Sequence, residues 1–330
     1  MSRRQGSPGW KGRRGACWDV PATTRMMGAS MLRRYVTADV FADRPFGGNP
    51  VAVVLDADGL TDPQMQALAA EFNYIETTFV LPARKPDHTA HVRIFTPDRE
   101  VPFAGHPNIG TAFLLARHRI AEGGSAPRRF QFEEAAGLVE IELMVENDEV
   151  VGAELLAPEA LSRATIVAPD AAAACIGLDG QDVRTVIHGP QVISVGLPFL
   201  TVELHSRDAL RRARPDRRAY DDLFPLDGAK AVYLYTRDDA TRSATTDMDL
   251  SARMFTFRLV EDPATGSAAA ALAALLSDVQ GADVALRIRQ GEDMGRPSTV
   301  VSRSVRDGSA VRAKIRGRCA EMFTGTFDLD

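Results

Sequence analysis

Two segments of the chain place a titratable side chain at the same point of a repeated pattern. Residues 102–116 read PFAGHPNIGTAFLLA and residues 260–274 read VEDPATGSAAAALAA. When the two segments are aligned on His106 and Asp262, Gly110 coincides with Gly266 and Thr111 coincides with Ser267. A duplicated fold would require the glycine and the apolar run, but it would not require the polar groups. The repeat therefore indicates shared chemistry as well as shared architecture.

The repeated pattern is typical of the start of a helix that binds a small anion. A proline in the first turn of a helix costs no hydrogen bond, because the amide at that position has no partner within the helix. A glycine lets a ligand approach the backbone. The hydroxyl of Thr111 or Ser267 would add a donor beside free amides that favour a carboxylate. We therefore predict helices over about 107–119 and 263–277, with their starts facing each other across a cleft. There they would bind a small anionic substrate and stabilise negative charge that develops during proton removal.

A third candidate for chemistry is Glu76, in the segment NYIETTFV (73–80). The glutamate follows an apolar residue and precedes two threonines and a β-rich run. A carboxylate in a closed cleft suits a general base. The sequence alone favours an exposed carboxylate at a strand end over a general base, so the role depends on where the fold puts this residue.

The histidine pair in DHTAH (87–91) does not indicate a metal site. His88 and His91 are three residues apart, and on a strand this spacing places the two rings on opposite faces. A metal ion needs its ligands on one side. We therefore predict no metal site here.

The elements that must position these residues are mostly strands that follow other strands. β-rich runs stand at RYVTADVF, ETTFVLP and RRFQFEE, and further strands are predicted near 183–188, 191–196, 199–204 and 230–235. One further helix is indicated by TDPQMQALAAEFN, with Thr61 or Asp62 as its cap and Pro63 in its first turn. Strands in such runs favour antiparallel sheets with few helices, an α+β fold.

The repeat divides the chain into two similar halves. We predict an N-terminal half over 32–157 and a C-terminal half over 158–330, each with an antiparallel or mixed sheet wrapped around the apolar helix of its repeat copy. The last strand, near 318–330, is expected to pack back on the first half. Residues 1–31 are rich in Arg, Gly and Ser, contain a single acid and show no period, so we predict a disordered extension there.

Composition excludes several classes of partner. The net charge of −5 gives no reason to expect nucleic acid or an anionic membrane, and no apolar stretch reaches the length of a membrane span. The three cysteines, Cys17, Cys175 and Cys319, are odd in number and scattered. They fit a reducing cytoplasm better than a disulfide framework.

Five motifs, taken together, resemble the PhzF family of phenazine-biosynthesis-like proteins. They are PFGGNPVAVV (45–54), NYIETTFV (73–80), RIFTPDREVPFAGHPNIGTAF (93–113), EDPATGSAAAAL (261–272) and QGEDMGRPS (290–298). The resemblance implies the diaminopimelate epimerase-like fold, with the active site between two halves. It also implies an isomerase without cofactor or metal that acts on a small carboxylate and forms a homodimer. By the same resemblance the catalytic residues are Glu76, His106 and Asp262, and the substrate-binding residues are Gly105, Gly266 and Ser267.

Other functions stay open at this point. An epimerase or racemase, or a dehydratase, can begin with the same proton abstraction, and a non-catalytic binding protein could keep the cleft. Racemisation by two thiols is disfavoured, because neither repeat copy contains a cysteine. The sequence departs from the family pattern at one point, where the short segment TFRLV (256–260) replaces a longer segment of the family. We expect this loop to border the cleft and to change the substrate.

Overall fold

The computed structural model describes residues 32–237 and 247–329. The extension predicted over residues 1–31 lies outside these ranges. Six α-helices are found in the described residues: α1 Asp62–Phe72, α2 Gly105–Ala121, α3 Pro169–Ala174, α4 Arg207–Arg212, α5 Arg217–Leu223 and α6 Gly266–Gln280. Short 3-10 turns cover Gly180–Asp182 and Glu292–Met294.

The strands of the described residues form one continuous hydrogen-bonded system. In chain order they are β1 Arg33–Val40, β2 Asn49–Val54, β3 Glu76–Leu81, β4 Ala90–Phe95, β5 Glu100–Val101, β6 Arg129–Glu134, β7 Gly137–Glu146, β8 Glu149–Leu156, β9 Ser162–Ile166, β10 Gln191–Ser194, β11 Pro198–Glu203, β12 Ala231–Arg237, β13 Asp247–Thr256, β14 Glu261–Asp262, β15 Ala285–Gln290, β16 Ser298–Asp307 and β17 Ala310–Phe327.

The first set of strands surrounds α2. β1 pairs with β2, β2 runs parallel to β3, and the series continues through β4, β6, β7 and β8. β17 then pairs with both β8 and β1, which closes the series on itself. The first twelve residues of α2, Gly105 to Ala116, are buried inside this ring. A helix enclosed in this way is stabilised by apolar burial on every side.

The second set of strands wraps α6 in a similar manner. It runs from β9 through β10, β11, β12, β13 and β15 to β16, and β16 pairs with β17. α6 is apolar from Ala268 to Leu276, and each of these residues is buried. The small alanines let the surrounding strands approach the helix closely. β17 therefore belongs to both sets, since it joins the α2 ring to the sheet around α6.

The predicted α+β class, with sheets wrapped around a central helix in each half, is confirmed. The start of α1 is also confirmed: the Thr61 hydroxyl accepts from the Gln64 amide, and Pro63 lies in the first turn. The strand predicted near 183–188 is wrong, because Val183 makes only an isolated bridge to Leu204. The division at residue 157 stays a prediction.

Candidate active site

A cavity of about 790 Å³ lies where the starts of α2 and α6 meet. Its wall contains every residue that the sequence predicts for the site: Glu76, Gly105, His106, Asp262, Gly266 and Ser267. Apolar side chains cover much of the remaining wall, among them Leu197, Phe199 and Met254. A concave, mainly apolar pocket with a few convergent polar groups is the usual form of a small-molecule site.

The two helices begin at glycines that occupy equivalent positions. α2 begins at Gly105 and α6 begins at Gly266. A Cβ atom added at either glycine would lie 2.9 Å from the same atom, Cδ1 of Ile315. Real Cβ atoms do not approach another carbon so closely, so the end of the Ile315 side chain would have to move if either glycine were replaced. Ile315, on β17, thus lies against both helix starts.

This equivalence corrects the alignment made from sequence. Gly110, which the repeat matches to Gly266, lies inside α2 and packs against Val51. Thr111 is not a donor at the helix start, because its buried hydroxyl lies 2.8 Å from the hydroxyl of Thr78. The counterpart of Gly266 and Ser267 is therefore Gly105 and His106, five residues earlier than the repeat suggests.

Both helix starts leave their first amides without a side-chain cap. The N-cap residues are Ala104 for α2 and Thr265 for α6. In the described first turns, neither N-cap side chain accepts a hydrogen bond from an amide of its own helix. Amides at a helix start need an acceptor from elsewhere, and the positive end of the helix favours an anion. The geometry therefore suits a carboxylate held between the two starts.

Glu76 is the first residue of β3, and its side chain is only 14 % exposed. Its Oε2 atom is buried and has no hydrogen-bond partner among the residues that the structure describes. Burial raises the pKa of Glu76 to about 8, and the nearby charge of Asp262 adds to the effect. A carboxyl group with such a pKa is a stronger base than an exposed one and can also act as an acid near neutral pH.

His106 is the second residue of α2 and contacts Glu76, with 3.4 Å between His106 Nδ1 and Glu76 Oε2. Burial lowers the pKa of His106 to about 3, although a hydrogen bond to the Pro50 carbonyl opposes the shift. The imidazole is therefore neutral at pH 7. Since Glu76 is largely protonated at that pH, the contact joins two neutral groups and is not an ion pair.

Asp262 is fixed by hydrogen bonds to both of its carboxylate oxygens. Asn49 Nδ2 donates to Oδ1 at 2.8 Å, and the Thr265 hydroxyl donates to Oδ2 over a short distance. Burial raises the pKa of Asp262 to about 7, while the hydrogen bonds from Thr265 and Asn49 lower it. The carboxyl group is thus held in one orientation and lies near its titration point at neutral pH.

Gln290 holds the same loop from the opposite side. Its Nε2 donates to the Asp262 carbonyl at 2.8 Å and to Thr265 Oγ1 at 3.0 Å, and its Oε1 accepts from the Thr265 amide at 3.2 Å. Sequence reasoning missed the roles of both Asn49 and Gln290. Both residues stand in motifs that carry the family resemblance, GGNPV and QGEDMG, but nothing in the sequence pairs them with Asp262.

The mouth of the cavity is formed by the short segment that departs from the family pattern. Phe257, Arg258 and Val260 line the cavity wall. Arg258 forms an ion pair with Asp98, which lies in the turn between β4 and β5. The loop after β13 thus contacts its counterpart after β4 at the cavity rim. Side chains here are in a position to select substrates by size and charge.

The histidines of DHTAH have separate partners. His88 Nδ1 lies 2.7 Å from Glu133 Oε1, and His91 Nε2 lies 3.1 Å from an Arg84 nitrogen. Across residues 32–237 and 247–329, no group of three or more His, Cys, Asp or Glu side chains is placed to hold a metal ion. None of the helices in this part of the chain has the length and apolar character needed to cross a membrane.

Comparison with known proteins agrees with the motifs. Residues 38–325 match the model of the family described as phenazine biosynthesis-like protein. An uncharacterized isomerase of Mesorhizobium japonicum is 36% identical, over 89% of this chain and 98% of that protein. A trans-2,3-dihydro-3-hydroxyanthranilate isomerase of Pseudomonas aeruginosa is 35% identical, over 89% of this chain and 99% of that protein. A crystal structure of a PhzF-family protein from Bacillus anthracis shares the fold, with a TM-score of 0.78, 22% identity and coverage of 91% and 100%.

Proposed function

Because this chain is an isomerase that belongs to the phenazine biosynthesis-like protein family, we propose that it moves a proton within a small cyclic or amino-acid-like carboxylate, without a cofactor or metal. The observation that carries this proposal is the meeting of Glu76, His106 and Asp262 with two uncapped helix starts on one cavity wall. Carboxyl groups are sufficient acids and bases for a proton shift.

The substrate carboxylate binds between the two helix starts. Amides of Gly105, His106, Gly266 and Ser267 belong to the first turns of α2 and α6, which supply donors and positive dipole ends. These groups also stabilise the negative charge that spreads toward the carboxylate when a neighbouring carbon loses its proton. The apolar walls around them exclude water, so each interaction is stronger than in solution.

Glu76 carries the proton in this proposal. A pKa of about 8 leaves about one tenth of the residue ionised at pH 7. In that form its carboxylate removes a proton from one substrate carbon, and the electron pair left behind delocalises toward the bound carboxylate. Glu76, now protonated, exchanges its acid proton with solvent in part of the turnovers and then delivers a proton to a second carbon of the same delocalised system. No atom is gained or lost, and neutral His106 stays beside the carboxyl group throughout.

The hydrogen bonds of Asp262 favour one base over two. Epimerisation by two bases needs a second free group on the opposite face of the substrate. Besides Asp262, the described wall contains Asp98 and Glu261, which form ion pairs with Arg258 and Arg253. Both oxygens of Asp262 are already engaged, by Asn49 and Thr265. We therefore place isomerisation by Glu76 ahead of epimerisation or racemisation, and dehydration stays the alternative that shares the first step.

Exchange with heavy water tests the proposal. Trans-2,3-dihydro-3-hydroxyanthranilate, the compound in the names of several relatives, is the first candidate, although the short segment 256–260 favours a different substrate. Proton NMR in D₂O should show deuterium entering a ring carbon only with active protein. Glu76→Gln should abolish exchange while the compound still binds. Exchange that persists in Glu76→Gln would refute the assignment of the base.

Two further parts of the proposal concern the state of the protein. We propose a homodimer in the cytoplasm, as the family resemblance implies. The described cysteines support a reducing compartment, since Cys175 and Cys319 are free thiols. Light scattering after size exclusion should give twice the mass of 35.8 kDa, and a monomer at micromolar concentration would contradict the dimer.

A further inference from the structure

Arg296 joins two loops that meet beside the active site. It lies in the connection between β15 and β16, and its guanidinium reaches β1 and the loop between β1 and β2 (residues 41–48). There Nε donates to the Gly48 carbonyl at 2.9 Å, and Nη2 donates to the Gly47 carbonyl at 2.8 Å and to Asp39 Oδ1 at 2.6 Å. One side chain thus binds three acceptors on β1 and the loop that follows it.

The carboxylate of Asp39 keeps Arg296 in place. The Asp39 side chain is only 4 % exposed, and its second oxygen accepts from the Phe46 amide at 2.8 Å. A buried carboxylate is costly without a charged partner, and the planar fork of an arginine offers several donors at once. Arg296 is therefore fixed by Asp39 and in turn fixes the backbone of the β1–β2 loop.

The β1–β2 loop leads directly into Asn49, the first residue of β2. Gly48 adopts a left-handed conformation with φ of 61°, and its amide donates to the Pro297 carbonyl at 3.1 Å. A Cβ atom at Gly47 would lie 2.6 Å from the same carbonyl oxygen, so the two loops are in close contact. A loop held in this way restricts the position of Asn49, whose Nδ2 donates to Asp262 Oδ1 at 2.8 Å.

The segment that carries Arg296 also holds the other partner of that hydrogen bond. At its start, Gln290 Nε2 donates to the Asp262 carbonyl at 2.8 Å. The next residue, Gly291, is packed so closely that an added Cβ would lie 2.7 Å from the Pro263 carbonyl oxygen. Its own carbonyl accepts from the Arg296 amide at 2.9 Å. Residues 290–297 thus contact the Asp262 loop at one end and the loop before Asn49 at the other.

We propose that Arg296 is a positioning residue for the active site, which holds the β1–β2 loop so that Asn49 Nδ2 stays hydrogen-bonded to Asp262 Oδ1. Arg296 is not among the described residues of the cavity wall, so it acts through Asn49 and does not touch the substrate. This inference rests on the proposed function in so far as that function places Asp262 in the site. It adds a residue that the cavity itself does not reveal.

The titration of Asp262 reports whether the link through Asn49 is intact. A hydrogen bond from Asn49 favours the ionised carboxyl group and lowers the pKa of Asp262. Loss of that bond should therefore raise the pH at which Asp262 titrates. Among the described residues, Glu76, Glu261 and Tyr233 are the titratable groups whose charges interact with Asp262. Because the pKa of Glu76 is about 8, every measurement is made on the full chain with Glu76→Gln, so that the two titrations do not overlap.

Carbon-13 NMR of the aspartate carboxyl groups supplies the measurement, and the Asp262 signal is the one that Asp262→Asn removes. Asn49→Ala should raise the titration midpoint by about one pH unit, as the loss of a hydrogen bond to a charged group allows. Arg296→Lys should raise it by about half a unit or more, because one ammonium cannot replace a fork that spans three acceptors. The double variant should titrate like Asn49→Ala alone, since both changes break the same link.

Arg207→Lys is the matched control. Arg207 binds Asp293 and Glu292 of the same segment, at 2.8 Å and 3.4 Å. In the described chain it forms no hydrogen bond or ion pair with the β1–β2 loop. The substitution is the same and the segment is the same, so the Asp262 midpoint should not move.

Gly47→Ala tests the same contact from the other side. The new Cβ would lie 2.6 Å from the Pro297 carbonyl oxygen and push the two loops apart, while Arg296 itself is unchanged. The Asp262 midpoint should again rise. Benzoate, which carries a carboxylate and no other polar group, serves as the probe of folding. Calorimetric binding of benzoate by each variant shows that the two helix starts are still in place.

Different failures have different meanings. An unchanged midpoint in either Arg296→Lys or Gly47→Ala overturns the positioning role of Arg296. So do shifts from Arg296→Lys and Asn49→Ala that add up in the double variant, because the arginine would then act by another route. Neither result affects the isomerase proposal, which deuterium exchange tests in the chain that retains Glu76. A wild-type chain that does not bind benzoate overturns the carboxylate site and leaves the titration of Asp262 as the test of Arg296.

Discussion

Replacing Glu76 by glutamine should make the stability of the protein less dependent on pH. The pKa of Glu76 is raised by burial from 4.5 to about 8 in the folded state. Below pH 4.5 the carboxyl group is protonated in both the folded and the unfolded chain and does not affect stability. Above this pH the unfolded chain releases the proton while the folded chain retains it. The free energy of unfolding therefore falls as the pH rises, until the folded group ionises near pH 8.

The size of the effect follows from the pKa difference. Each unit of pH within this window lowers the free energy of unfolding by about 1.4 kcal/mol. Because the dependence is shallower near the two pKa values, the loss between pH 5 and pH 8 amounts to about 3.5 kcal/mol. The side chain is 14 % exposed, so little solvent screening reduces it. Glu76→Gln cannot ionise, so its free energy of unfolding should lack this component.

Urea denaturation at pH 5, 6, 7 and 8 measures the difference directly. The gap between the variant and wild-type free energies of unfolding should widen by about 3.5 kcal/mol over this range. Asp262 titrates in both proteins, so its contribution cancels in the difference apart from its interaction with Glu76. Glu149→Gln, which removes an exposed carboxylate at the start of β8, should follow the wild type. Curves for Glu76→Gln and wild type that stay parallel within about 1 kcal/mol would refute a buried, protonated Glu76.

Three further predictions concern other residues of the cavity. The Cε1 proton resonance of His106 should show no protonation of the imidazole between pH 5 and 8, because burial lowers its pKa to about 3; a full imidazolium shift with a midpoint near pH 6.5 would contradict this. Gly266→Ala should lower the free energy of unfolding by about 1–3 kcal/mol and weaken benzoate binding, since the new Cβ would lie 2.9 Å from Ile315 Cδ1. Ile315→Val in the same chain should restore part of both losses, and no recovery would refute the steric cause. Phe257→Ala should raise KM severalfold with little change in kcat, because Phe257 lines the mouth of the cavity and its side chain cannot transfer a proton; an equal fall in kcat would argue against a role in binding alone.

The repeat predicted the members of the site better than their geometry. It identified both helices and both titratable positions, because the residue types that chemistry needs recur at one spacing. It aligned α2 with α6 out of step by treating Gly110 as the counterpart of Gly266, whereas Gly105 occupies that position. The predicted start of α2, near residue 107, was close to the observed start at Gly105. Gly105 and Gly110 each precede a polar or hydroxyl side chain, His106 or Thr111. Only the contact with Ile315, a residue of β17 far along the chain, distinguishes them.

Long-range pairing explains what else the sequence could not reveal. The segments VRAKIRG and TGTFDLD read as separate short strands, yet they fall mostly within one strand, β17, that serves both sheets. Likewise, the amides that hold Asp262 come from β2 and β15. Periodicity describes each strand by itself. It carries no information about which strands become neighbours, so a hydrogen bond between residues 213 positions apart cannot be read from it.

The uncapped helix starts connect the stability of the fold with its ligand. A Ser, Thr or Asp side chain that caps a helix adds about 1 kcal/mol, yet Ala104 has no capping group and the Thr265 hydroxyl donates to Asp262. Both positions border the cavity, so a substrate carboxylate bound there would supply the acceptors that the two helix starts lack. A ligand that completes both caps binds the folded chain alone and stabilises it by mass action. The melting temperature should therefore rise with benzoate concentration, and the rise should shrink in Gly266→Ala, where the start of α6 is displaced.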